Sequence, residues 1–126
     1  INAMKNSYSP YSDFKVGAAL LTENNKVYTG CNIENVAFGP SICAERVAFF
    51  KAISEGEKSF SKIAVVGGKN GAITSPTPPC GVCRQVMREF CNDDFEILIV
   101  RENENYDKVL LKDLLPLSFR PEILSK

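Results

Sequence analysis

The chain contains no histidine. Any metal ion must then be held by sulfur or carboxylate, and any general base must be Glu, Asp or another group. The chain also lacks net charge, because 15 Lys plus Arg balance 15 Asp plus Glu. A general nucleic-acid surface needs a positive face that replaces counterions, so no nucleic-acid partner is expected. No apolar run approaches the length that spans a bilayer, and the longest ones have strand length. No membrane partner is expected. No secretory signal is visible, which makes the cytoplasm the expected location. The length suits one domain over residues 1–126 and is too short for two.

Cysteine is present, in an odd number: five residues, two of them spaced as Cys80-x-x-Cys83. Without an export signal this suggests metal or redox use rather than a disulfide framework. Two short segments concentrate the chemistry, Cys43-Ala44-Glu45 and Pro79-Cys80-Gly81-Val82-Cys83. They supply three thiols and one carboxylate. Three thiolates leave one position of a tetrahedral zinc ion for water, and sites with an open position are catalytic rather than structural. The carboxylate of Glu45 can move that water's protons. Three thiolates and a divalent cation sum to minus one. Arg46, next to Glu45, can offset that excess by donating hydrogen bonds to the sulfurs.

The apolar pattern places these groups. Phe14–Thr22 reads as a buried strand, Glu23-Asn24-Asn25-Lys26 as a hairpin turn and 27–32 as the returning strand. Residues 6–12 read as loop. Ser41 is a candidate cap for a helix over 43–55, whose apolar positions Ala44, Val47, Ala48 and Ala52 have helical spacing and which Gly56 ends. Residues 63–66 read as a strand and 67–79, with glycines and three prolines, as a loop. A second helix over 80–91 shows Val82, Val86 and Phe90 on one face. Residues 95–100 and 109–111 read as strands, and 113–117 as a helical turn. A mixed sheet with helices on its faces follows. Each cysteine segment opens a helix, where free amides and the helix dipole favour thiolate. Cys80 and Cys83, one turn apart, share a face.

Other readings of these residues exist. A Cys-x-x-Cys pair also serves redox chemistry, but that leaves Cys43-Ala44-Glu45 unexplained. A structural zinc site would draw a fourth ligand from Cys31 or Cys91, which otherwise read as a packed strand residue and a buried helix-face thiol.

The chain resembles the cytidine deaminases over nearly its whole length. The resemblance is carried by Tyr11-Ser12-Asp13-Phe14-Lys15-Val16-Gly17-Ala18-Ala19, Gly30-Cys31-Asn32-Ile33-Glu34-Asn35, Cys43-Ala44-Glu45-Arg46, Pro79-Cys80-Gly81-Val82-Cys83-Arg84-Gln85 and Leu114-Leu115-Pro116-Leu117-Ser118-Phe119. It implies a three-layer α/β/α sandwich with a mixed five-stranded sheet. It implies one Zn²⁺ per chain on Cys43, Cys80 and Cys83, with Glu45 as the proton carrier and Arg46 beside the sulfurs. Zinc deaminases with three cysteines and a non-ligand glutamate are a known type, in which hydroxide on the metal attacks C4 of cytosine and ammonia leaves. The implied reaction is hydrolysis of cytidine and deoxycytidine to uridine and deoxyuridine, in pyrimidine salvage. By the same resemblance Asn32 and Glu34 bind the ribose 3′-hydroxyl and Phe14 packs on the substrate. The Ala44 amide and Cys80 carbonyl read the base edge, and Phe119 reaches a neighbouring subunit's site. A homotetramer is implied.

The sequence also departs from the family pattern. Phe38 stands where many relatives carry a tyrosine, and the helix that usually precedes Tyr8 is mostly absent. Rival readings are a deaminase of a blasticidin-type nucleoside antibiotic, a polynucleotide deaminase and a zinc-stabilised binding module without turnover.

Overall fold

A computed structural model describes residues 1–73 and 76–124. Its strands are β1 (Phe14–Thr22), β2 (Val27–Cys31), β3 (Phe60–Lys69), β4 (Glu96–Val100) and β5 (Tyr106–Leu110). They form one five-stranded sheet in the order β2-β1-β3-β4-β5. The helices are α1 (Ala44–Ser54), α2 (Gly81–Phe90), α3 (Leu111–Leu114) and α4 (Pro121–Leu124), with 3₁₀ turns at Asn2–Asn6 and Glu102–Glu104. No described helix is long and apolar enough to cross a membrane.

The β1–β2 hairpin turns as its sequence predicts, with Asn25 in the left-handed region at φ 66°. β3 and β4 are parallel, all other neighbours antiparallel, so the sheet is mixed. A parallel pair needs a long crossover, and α2 provides it. Side chains alternate across a strand. Ala18 pairs with Val65, Leu20 with Ile63, Ile63 with Ile97 and Val65 with Ile99. These six residues are buried on one face, against Ala48, Phe49, Ala52 and Met87. Phe49 centres the cluster, its ring 5.1 Å from Phe60 and 6.0 Å from Phe95.

The two sheet faces are told apart by two glycines. A Cβ on Gly30 would strike Ala44 and Ala48 of α1, whereas one on Gly17 would strike Met4 of the first 3₁₀ turn. Gly30 pairs with Ala18, the neighbour of Gly17, so the two glycines point to opposite sides. α1 therefore covers one face of the sheet and the Asn2–Asn6 turn lies on the other. That turn, with Met4 buried, stands ahead of the segment read as loop.

Several boundaries move. β3 is longer than 63–66, because Gly67 and Gly68 pair with Val16 and Lys15 instead of opening the loop. Residues 74–75 of that expected loop lie outside the described residues. The last strand is 106–110 rather than 109–111, and the helical turn begins at Leu111 rather than Asp113. Ser41 caps no helix. Its hydroxyl accepts from the Asn35 amide at 3.0 Å, and Cys43 is the N-cap of α1. The core face of α2 is Cys83 and Met87, while Val82 and Phe90 are exposed. Turning Cys83 inward toward Cys43 rotates the Val82 side out to solvent.

Candidate metal centre

The N-termini of α1 and α2 meet through Cys43 and Cys80, and this meeting makes the site. Cys43 is the N-cap of α1 and Cys80 the N-cap of α2, neither with a side-chain cap bond. Their thiols thus make no cap bond at two helix starts, where the dipole favours negative charge. Cys83, one turn into α2, is fully buried beside them.

Cys43 Sγ lies 3.7 Å from Cys80 Sγ, and Cys80 Sγ 3.5 Å from Cys83 Sγ. All three sulfurs fall within 4.8 Å of one another. A tetrahedral zinc with Zn–S bonds of about 2.3 Å requires sulfurs about 3.8 Å apart, so this donor set fits the ion with little movement. Among the described residues no fourth His, Cys, Asp or Glu joins the group. Cys31 ends β2 and Cys91 caps the end of α2, both half-buried and outside the cluster. This leaves the structural-site reading without its fourth ligand among those residues.

Charge follows the geometry. Hydrogen bonding from Cys83 and from Arg46 holds the Cys43 thiol down at about 5 against the pull of burial. Cys83 moves the other way. Its hydrogen bond to Cys43, its burial and the nearby charges of Glu45 and Cys43 push its thiol well above the usual range. Arg46 Nη2 donates to Cys43 Sγ at 3.4 Å, as the sequence predicts. Glu45 is 4% exposed. Burial pushes its carboxyl up to about 7, helped by Cys43 and opposed by backbone hydrogen bonding and Arg46.

A cavity of about 410 Å³ opens over these groups. That is the size of a small-molecule site. Cys43, Ala44, Glu45, Arg46 and Cys80 form its floor, and Asn32 and Glu34 also line it. Val16, Ile33, Phe38, Ser41, Ile42, Thr77 and Pro78 complete the wall. The sequence motifs assign no role in the site to any of these seven. Val16 and Ile33 lie inside quoted motifs and the other five beside one, and five of the seven are apolar side chains with no chemistry of their own.

Asn32 and Glu34 are held from behind. Asn32 Nδ2 donates to the Phe14 carbonyl at 2.8 Å, and its Oδ1 accepts from the Val16 amide at 2.9 Å and from the Ser7 hydroxyl. Glu34 accepts from the amides of Tyr11 and Ser12 at 3.0 and 3.2 Å and from the Ser12 hydroxyl. The Ser12 hydroxyl, then those amides and the charge of Lys15, hold its carboxyl below the usual range. The Cys80 carbonyl already accepts from the Arg84 amide at 2.9 Å, which leaves it one lone pair. Phe14 and Phe119 do not line the cavity of this chain. Phe14 is half-buried beside Gly67, and Phe119 is 57% exposed on the C-terminal segment.

Residues 1–99 match the cytidine and deoxycytidylate deaminase zinc-binding region. The chain belongs to the zinc-dependent cytidine deaminase family. A cytidine deaminase of Sporosarcina psychrophila is 46% identical over 98% of this chain and 88% of its own length. The crystal structure of cytidine deaminase from Burkholderia pseudomallei superposes with a TM-score of 0.84 at 42% identity, covering 94% of this chain and 91% of that one. That of the Mycobacterium tuberculosis enzyme gives 0.77 at 37% identity, covering 94% and 89%. The α/β fold with its mixed sheet is the one shared with these structures. This cytidine deaminase homologue is a zinc-dependent hydrolytic enzyme of a family that acts on nucleosides.

Proposed function

We propose that this chain, as one domain over 1–126, hydrolyses cytidine and deoxycytidine to uridine and deoxyuridine, releasing ammonia. The observation that carries the reading is the open three-sulfur corner with buried Glu45 on the floor of a nucleoside-sized cavity. Cys43, Cys80 and Cys83 hold one zinc ion. When bound, zinc supplies the Lewis acidity that lets water attack a ring carbon near neutral pH.

Glu45 moves the protons. A carboxyl poised near 7 can take a proton from the attacking water and give it to the ring N3. It then supplies the proton with which the C4 amine departs as ammonia. Water adds its oxygen to C4, the C–N bond breaks, and no electrons change hands. Arg46 bonds Cys43 and offsets the excess negative charge of three thiolates. The Ala44 amide and the Cys80 carbonyl orient the base edge.

Asn32 and Glu34 bind the ribose 3′-hydroxyl, which both donates and accepts and so suits an amide beside a carboxylate. Their hydrogen bonds to Ser7, Val16, Tyr11 and Ser12 fix them before substrate arrives. Phe14 contributes a packing surface. Phe119, exposed in one chain, completes the site of a second chain in a homotetramer. The enzyme acts in pyrimidine salvage in the cytoplasm.

The test is zinc stoichiometry measured together with ammonia release from cytidine. One zinc per chain with release is the expected result. Zinc without release, or release from protein that binds no zinc, refutes the reading. Sedimentation of the active species tests the assembly, and full turnover by a monomer refutes the tetramer.

A further inference from the structure

Cys80 is the exposed member of the three-sulfur group, whereas Cys83 is buried and Cys43 half-buried. Packing alone therefore does not hold it. Gly81, which follows, has open space where a side chain would stand. A ligand in such a place needs hydrogen bonds to fix it, because site geometry tolerates only about half an ångström of error.

Those bonds come from Arg84. Its amide donates to the Cys80 carbonyl at 2.9 Å. Its Nε donates to the carbonyl of Pro79, the residue before Cys80, at 2.8 Å. Its Nη1 reaches the other way, to the carbonyl of Leu114 at 2.9 Å. Leu114 is the last residue of α3, where carbonyls lack intrahelical partners. The planar fork of a guanidinium can answer two carbonyls from different segments at once, and an ammonium cannot do so with the same geometry.

We propose that Arg84 is a positioning residue that fixes Cys80 through the Pro79 carbonyl and ties the metal corner to the C-terminal segment through the Leu114 carbonyl. This rests on Cys80 being a zinc ligand. Gln85 offers an internal comparison. It grips the same C-terminal segment, donating to the Phe119 carbonyl at 2.9 Å, while the described bonds of Pro79 go to Arg84.

The experiment is zinc transfer from the loaded protein to a chromogenic chelator, without nucleoside, for wild type, Arg84→Ala, Arg84→Lys and Gln85→Ala. Loss of a group that orients a ligand costs about 10–100-fold in metal affinity, so R84A is expected to release zinc about tenfold faster or more. R84K falls between R84A and wild type, and Q85A releases at the wild-type rate. Hydrogen exchange at residues 115–119 rises in R84A. Release from R84A at the wild-type rate overturns the proposal, as does equal acceleration in Q85A. If R84A does not fold, R84K decides, and wild-type release from R84K overturns it. Because no nucleoside is present, wild-type protein that deaminates cytidine while R84A keeps its zinc counts against this assignment alone.

Discussion

A Cβ placed on Gly30 would lie 2.4 Å from the carbonyl oxygen of Ala44 and 2.7 Å from the amide nitrogen of Ala48. Strand β2 and helix α1 touch backbone to backbone at this point. The contact sets the height of the first turn of α1, and that turn carries Cys43, Ala44 and Glu45. Gly30→Ala cannot be absorbed by a side chain swinging away, since both near atoms are backbone. Overpacking of this kind costs about 1–3 kcal/mol. The expected outcome is a lower urea midpoint and a lower zinc content per chain, read by unfolding and by atomic emission. An alanine variant with wild-type zinc content and stability contradicts the contact.

Glu45→Gln separates metal binding from proton transfer. The amide keeps the volume of the buried side chain but cannot shuttle a proton. Zinc content is expected to stay at the wild-type level while kcat falls by about 10²–10⁴-fold or more. Initial rates of absorbance loss with cytidine give the answer. A variant that keeps its rate removes Glu45 from the reaction.

Arg46→Ala removes the donor to Cys43 Sγ. Metal affinity or turnover is expected to fall about 10–100-fold. Competition with a chelator and steady-state rates measure the two separately. If both stay unchanged, the sulfurs do not depend on Arg46 for charge.

Much of this site could be anticipated from sequence because its residues are chemically scarce. Cys43, Cys80 and Cys83 have few alternative uses in a chain without histidine, and helix periodicity placed them at two N-termini. Of the four apolar positions read at helical spacing in α1, Ala44, Ala48 and Ala52 are buried and Val47 is half-buried. The extension of β3 escaped because Gly67 and Gly68 look like loop residues. They are strand residues where other backbone passes close, with a Cβ on Gly68 meeting the Ala72 carbonyl at 1.4 Å. The first half of β5 escaped because Tyr106, Asp107 and Lys108 are all exposed on an edge strand, which erases the alternation. Arg84 sits inside a recognisable motif, yet spacing cannot show that its side chain answers carbonyls from two segments.

Asp93 anchors the C-terminal segment to α2. Its Oδ1 lies 2.9 Å from Nη2 of Arg88 and 2.8 Å from Nη2 of Arg120. Arg88 is only 3% exposed, so its charge depends on this carboxylate. Burial pulls the Asp93 carboxyl upward, but Arg120 and Arg88 outweigh it and hold it below the ordinary value of 3.8. A depressed folded-state value means that the ionised form is favoured by folding. The stabilisation is therefore fully present above about pH 4 and is lost as the pH falls through the folded-state value. Asp93→Asn should lower the urea midpoint at pH 7. Below pH 4 the wild type approaches the variant, so the difference between the two midpoints shrinks there. Midpoints measured from pH 7 down to pH 3 test the sign. A gap that stays constant or widens in acid shows that the Asp93 carboxylate does not supply the link.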